Sequence, residues 1–176
     1  MKSPWFAAWL VWMVGSFSGL TDEPAKLDEH AKRLLQEAGA VSYAHKTPYA
    51  AGIDSLALGY NADGAVVAGV AARKTKTYKS TTLYLTVVPV DGQFQIRSAL
   101  IPDLAEFHGK SQSLAQETLT DLKGKTVPDA QAARKLVDGV TGATTYRRAI
   151  YVSGSAIAAA LIRELQAKPD WLRTAF

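Results

Sequence analysis

Asp138, Gly139, Thr141, Gly142, Ala143 and Thr144 fall within one short stretch, "DGVTGAT", with Thr145, Tyr146, Arg147 and Arg148 directly behind it. One carboxylate, several hydroxyls and small residues between two helix-patterned segments admit two chemistries. As a joint, Gly139 and Gly142 supply unusual backbone angles, Asp138 ends one helix, and Thr141 or Thr144 caps the next. As an anion site, the start of the second helix offers unpaired N–H groups and a positive dipole end. Small residues let a phosphate approach that backbone, and Arg147 and Arg148 add charge nearby. A threonine hydroxyl is a poor nucleophile, and neither a base nor a Walker-type phosphate loop accompanies it here.

The elements that must position this stretch read as follows. "TDEPAKLDEHAKRLLQEAG" predicts a helix capped by Thr21 or Asp22, with Leu27, Ala31, Leu34, Leu35 and Ala38 on its apolar face, His30 beside its charged face and Gly39 at its end. Two hairpins follow, "SLALGY-NADG-AVVAGVAAR" and "STTLYLTVVPV-DG-QFQIRSALI". Leu83, Leu85 and Val87 alternate with Tyr84 and Thr86, as in a strand with one buried face, and Pro89 marks an edge or bulge. "TVPDAQAARKLV" predicts a helix with a Thr126–Asp129 capping pattern. "YRRAIYVSGSAIAAALIRELQ" predicts a longer one, with Ile150, Ile157, Ala160, Leu161 and Leu165 inward and Gly154 at a bend or close contact. The expected fold is α+β: a single antiparallel twisted sheet of hairpins packed with N-terminal and C-terminal helices.

Composition narrows the function. A length of 176 residues suits one domain. The net charge of +4 comes from scattered lysines and arginines, not from the clustered basic stripe of a nucleic-acid binder. With no cysteine, disulfides, thiolate metal sites and thioether haem are excluded, and no two of the three histidines stand at helical ligand spacing. His108 in "EFHGK" reads as a loop residue. At the N-terminus, Lys2, an apolar run from Pro4 to Val14 and small residues at Ser16 and Ser18 predict a signal peptide over residues 1–18. The alternative is a short membrane anchor, but Trp5 to Leu20 would span only about 24 Å as a helix. Residues 19–176 then form the domain, outside the cytoplasm.

"DGVTGAT" resembles the flavinylation motif of the FMN-binding domain family. That family includes the C subunit of the sodium-pumping NADH:quinone reductase and the G subunit of the Rnf electron-transport complex. Asp138 matches the motif's aspartate, Thr141 its Ser/Thr, Gly142 and Ala143 its small pair, and Thr144 the acceptor whose hydroxyl is esterified by the FMN phosphate. A hairpin of the "GYNADGAVVAGV" type upstream and a helix directly after extend the resemblance over roughly residues 50–165. It implies covalent FMN on Thr144, cofactor contacts from Asp138, Gly139, Thr141, Gly142, Ala143, Thr145 and Tyr146, and an electron-transfer carrier more than a stand-alone enzyme. It also implies a magnesium-dependent flavin transferase as maturation partner and redox partner proteins that can be membrane-bound.

Two segments depart from the respiratory pattern. "RKTKTYKSTT", Arg73 to Thr82, replaces an E-T-P-G-L-G-like segment, and Tyr146 stands where a second threonine is usual. The expectation is therefore an exported relative that stands alone. Lys74 to Tyr78 either contact the flavin or belong to an edge strand guarded by lysines. Tyr146 either stacks on the flavin ring or packs on the sheet. The rival function is a non-redox binding or interaction module of the same fold, with the motif serving only as a helix cap.

Overall fold

The computed structural model of the chain describes residues 26–50, 52–77, 79–138 and 145–176. Two turns organise its sheet. Asn61 to Gly64 join β2 (Ser55–Tyr60) to β3 (Val66–Lys76), with the Asn61 side chain accepting from the Ala65 N–H. Asp91 and Gly92 join β4 (Ser80–Val90) to β5 (Gln93–Leu100), both at positive φ (47° and 78°), as a two-residue hairpin turn requires. β1 (Ser42–Lys46) pairs with β2, and the two-residue strands β6 (Thr126–Val127) and β7 (Thr174–Ala175) close the ends. The order is β6-β5-β4-β3-β2-β1-β7, antiparallel at every pairing. The fold is α+β, as the hairpin pattern predicted.

Among the described residues, four helices cover this sheet: α1 (Glu29–Glu37), α2 (Lys110–Leu122), α3 (Ala130–Arg134) and α4 (Thr145–Ala167). α4 lies across β3 and β4, flanked by α2 and α3. Its run from Ile157 to Ile162 is buried on every side, which explains a sequence too apolar for a one-faced helix. α1 covers the opposite face through Ala31, Leu34 and Leu35. β3 lies between the two layers, and its Ala68, Gly69, Ala71 and Ala72 let both approach closely.

Several boundaries differ from the sequence reading. Asp28, not Thr21 or Asp22, caps α1 by accepting from the Ala31 N–H, because Lys26 to Asp28 run outside the helix. Thr126 is in a strand, and Asp129 alone caps α3, accepting from Ala132 N. The interior strand β4 is buried on both faces: Leu83, Leu85 and Val87 meet the helical layer, while Tyr84 and Val88 pack under α1. Burial, then the Asp28 carboxylate, pushes the Tyr84 hydroxyl up to about 12. His30 rests on that ring, 5.6 Å between centroids, and is half-buried where solvation was expected. Pro89 lies past the end of the β3 pairing, so its missing N–H falls where β4 has one neighbour.

α1 is seated by a glycine. A Cβ on Gly59 of β2 would stand 2.7 Å from the Ala40 Cβ and 3.0 Å from Leu35 Cδ2. The Ala40 Cβ is fixed to its backbone and cannot swing away. Gly59→Ala is therefore expected to cost about 1–3 kcal/mol of stability, read as a lower denaturation midpoint. An unchanged midpoint would mean that α1 does not rest on β2.

Candidate functional site

The stretch from Asp138 to Thr144 is bounded by elements that are fastened to each other. On one side α3 runs into a 3-10 turn over Lys135–Val137, and the exposed Asp138 closes that turn with its N–H on the Lys135 carbonyl. On the other, Thr145 opens α4 and is exposed. The buried Ser155 hydroxyl reaches the Ala133 and Arg134 carbonyls at 2.6 and 2.8 Å. It satisfies the end of α3 from the middle of α4, so both flanks form one unit. Gly139, Thr141, Gly142, Ala143 and Thr144 lie outside the described residues, as does Tyr78.

The first turn of α4 carries an unusual arginine. Arg147 is half-buried, and its enclosed Nε has no hydrogen-bond partner among the described residues. Unsatisfied donors of that kind are rare and costly. Arg148 beside it is exposed, and Tyr146 is half-buried. One turn further on, the Tyr151 hydroxyl donates to Asp121 of α2, which also takes Lys125 at 3.1 Å. Burial and then Asp121 raise the Tyr151 pKa, with Arg147 opposing them.

The Tyr151 hydrogen bond holds the Asp121 carboxyl below the usual carboxylate range against burial, helped by Lys125 and Arg147. Since the folded value is depressed, this stabilisation is present above the ordinary pKa of about 3.9 and is lost as pH falls through the lower folded value. Asp121→Asn is expected to flatten part of the acid limb of a plot of Tm against pH below about 4. Part of that limb remains, because hydrogen bonds from Thr81 and Lys79 outweigh burial and hold Asp103 low as well. An acid limb identical to wild type would show that the Asp121 cluster contributes nothing.

A cleft of about 520 Å³ opens between Tyr49, Ala50 and Ile53, Arg73 of β3, α3 and α4. Val137 lines it, immediately before Asp138. Its polar groups are Tyr49, Arg73, Arg134, Ser155 and Arg163. The Tyr49 hydroxyl donates to Glu164 and accepts from Arg163 Nη2 at 2.9 Å. Burial, then Glu164, raises the Tyr49 pKa. Nothing local in the chain announces this gathering, since residues 49, 73, 134 and 163 meet only through topology.

Arg73 to Thr82 is not an edge strand. It spans the β3–β4 turn between two interior strands, with Thr75 paired to Thr81 and both buried. Alternation divides its cations: Arg73 faces the cleft, whereas Lys74 lines a separate hollow beside Tyr84 and Asp28. His108 is exposed in the segment before α2, as expected. Among the described residues no helix is long and apolar enough to cross a membrane, and residues 1–18 lie outside them. No protein-family model, curated protein or solved structure matches the chain.

Proposed function

We propose that the chain is an exported flavoprotein that carries one FMN, esterified through its phosphate to Thr144, and passes electrons between protein partners. The observation that carries this reading is "DGVTGAT" placed against the start of the longest helix, with Asp138 closing one flank and Thr145 opening the other. The residues present fit such a group. The enclosed Arg147 Nε has no partner among the described residues, and Arg147 stands three positions after Thr144 in the chain, so a phosphodiester there is an acceptor of the kind it lacks.

In this reading Arg147 and the first N–H groups of α4 neutralise and orient the phosphate. Asp138, exposed on the approach to the threonine, is recognised by the transferase or orients its segment. Gly139, Thr141, Gly142 and Ala143 give the phosphate access to the backbone, with Thr145 and Tyr146 beside it. FMN would supply one- and two-electron redox chemistry. A threonine hydroxyl is a poor nucleophile by itself, and in this reading a separate flavin transferase loads it. A covalent tether suits an exported carrier, which would otherwise lose its cofactor.

Co-expression with a flavin transferase in an exporting host tests the reading. The expected product is a yellow protein whose flavin stays with the chain through denaturation. A folded, colourless product beside an active transferase would leave the interaction module, with the motif as a helix cap.

A further inference from the structure

The cleft bounded by β3, α3 and α4 has a chemical character of its own. Arg73, Arg134 and Arg163 share it, and among the described residues none that lines it is an Asp or Glu. One neighbouring carboxylate, Glu164, is already engaged by Tyr49 and Arg163. Among the described residues, neither the Arg73 nor the Arg134 guanidinium has a hydrogen-bond or ion-pair partner. Like charges brought together without a counter-charge repel, and the described lining residues supply none. Between them the wall is apolar: Ile53, Val137, Val152, Ala156 and Ala159. Val152 is 44% exposed there, an apolar helix residue facing solvent. Its volume of about 520 Å³ is that of a small-molecule site.

We propose that this cleft binds a small anionic amphiphile, a flat apolar body ending in a carboxylate or phosphate monoester. The guanidinium fork matches both head groups, and the alanine-rich face of α4 accepts the body. Gly52, at φ +77°, lets the chain pass within contact of Arg73, since a Cβ there would already be 3.5 Å from Nη2. Tyr49 holds Arg163 in place. Val137 sets the cleft beside Asp138, so the ligand would be the small-molecule partner of a group carried on that segment. That role rests on the flavin reading; the binding does not.

The test uses the Thr144→Ala chain, which cannot be flavinylated at that residue, so the outcome is independent of the cofactor. It is titrated with 2-naphthoate, 2-naphthyl phosphate and the neutral 2-naphthalenemethanol, followed by chemical-shift changes. The acidic probes are expected to shift residues of the cleft, with the tighter one naming the head group, and the alcohol to bind about tenfold more weakly or less. Arg73→Gln and Arg134→Gln should each weaken the acidic probes by about the same factor at unchanged melting temperature. Equal binding of acid and alcohol, indifference to both arginine variants, or no binding by the folded chain would overturn the proposal.

Discussion

Leu161→Ala is expected to destabilise the domain by about 2–5 kcal/mol, toward the upper end of that range. Leu161 is fully buried in α4, and its Cδ2 sits over Gly69 of β3, only 2.9 Å from where a Cβ would be. The sheet thus offers a notch with no side chain, and the leucine fills it. Truncation leaves a void that neither Gly69 nor the rigid strand pair can close, because Leu58, the cross-strand partner of Gly69, is already packed at 0% exposure. Incomplete collapse is what makes such deletions costly. Urea unfolding should show a lower midpoint at unchanged slope. Leu172→Ala, at a position 89% exposed, should stay within about 0.5 kcal/mol of wild type. A cost below about 1 kcal/mol for Leu161→Ala would mean that α4 is not seated on β3.

What the sequence disclosed follows the range of each interaction. Asn61 to Gly64 and Asp91-Gly92 encode their turns locally, so both hairpins were legible. α4 was legible from its long apolar run, and Gly154 does mark a close contact, its Cβ position lying 3.1 Å from Leu122. α2 was missed. Its buried Thr118 reads as polar, yet the hydroxyl donates to the Leu114 carbonyl and the residue then packs as an apolar one. β1 was missed as well: Ser-Tyr-Ala-His-Lys has no strand pattern of its own and is held by pairing with β2 and β7. Tyr84 looked solvent-facing because nothing local announces that α1 returns over β4. The "DGVTGAT" signal was visible in the chain itself, whereas the arginine cleft was not.

Thr144→Ala is expected to abolish covalent flavin entirely, an all-or-none effect on loading with little effect on folding. The ester needs a hydroxyl oxygen at that residue, and no later step can replace it. Thr144→Ser keeps the oxygen and should still be loaded, more slowly. Thr145→Ala should load as wild type, since Thr145 is exposed and belongs to the first turn of α4. Flavin fluorescence in a denaturing gel, after co-expression with the transferase, reads all three. Loading that persists in Thr144→Ala and disappears in Thr145→Ala would move the acceptor by one residue. Loading that persists in both would place it elsewhere.

The most direct measurement is the intact mass of the purified chain, co-expressed with a flavin transferase and exported. The proposed carrier shows an increment of one FMN less a water, together with loss of the leader if residues 1–18 are cleaved. An unmodified mass, in a folded and colourless protein loaded beside a control substrate that the same transferase does modify, would contradict the flavin and reduce the segment to a helix cap.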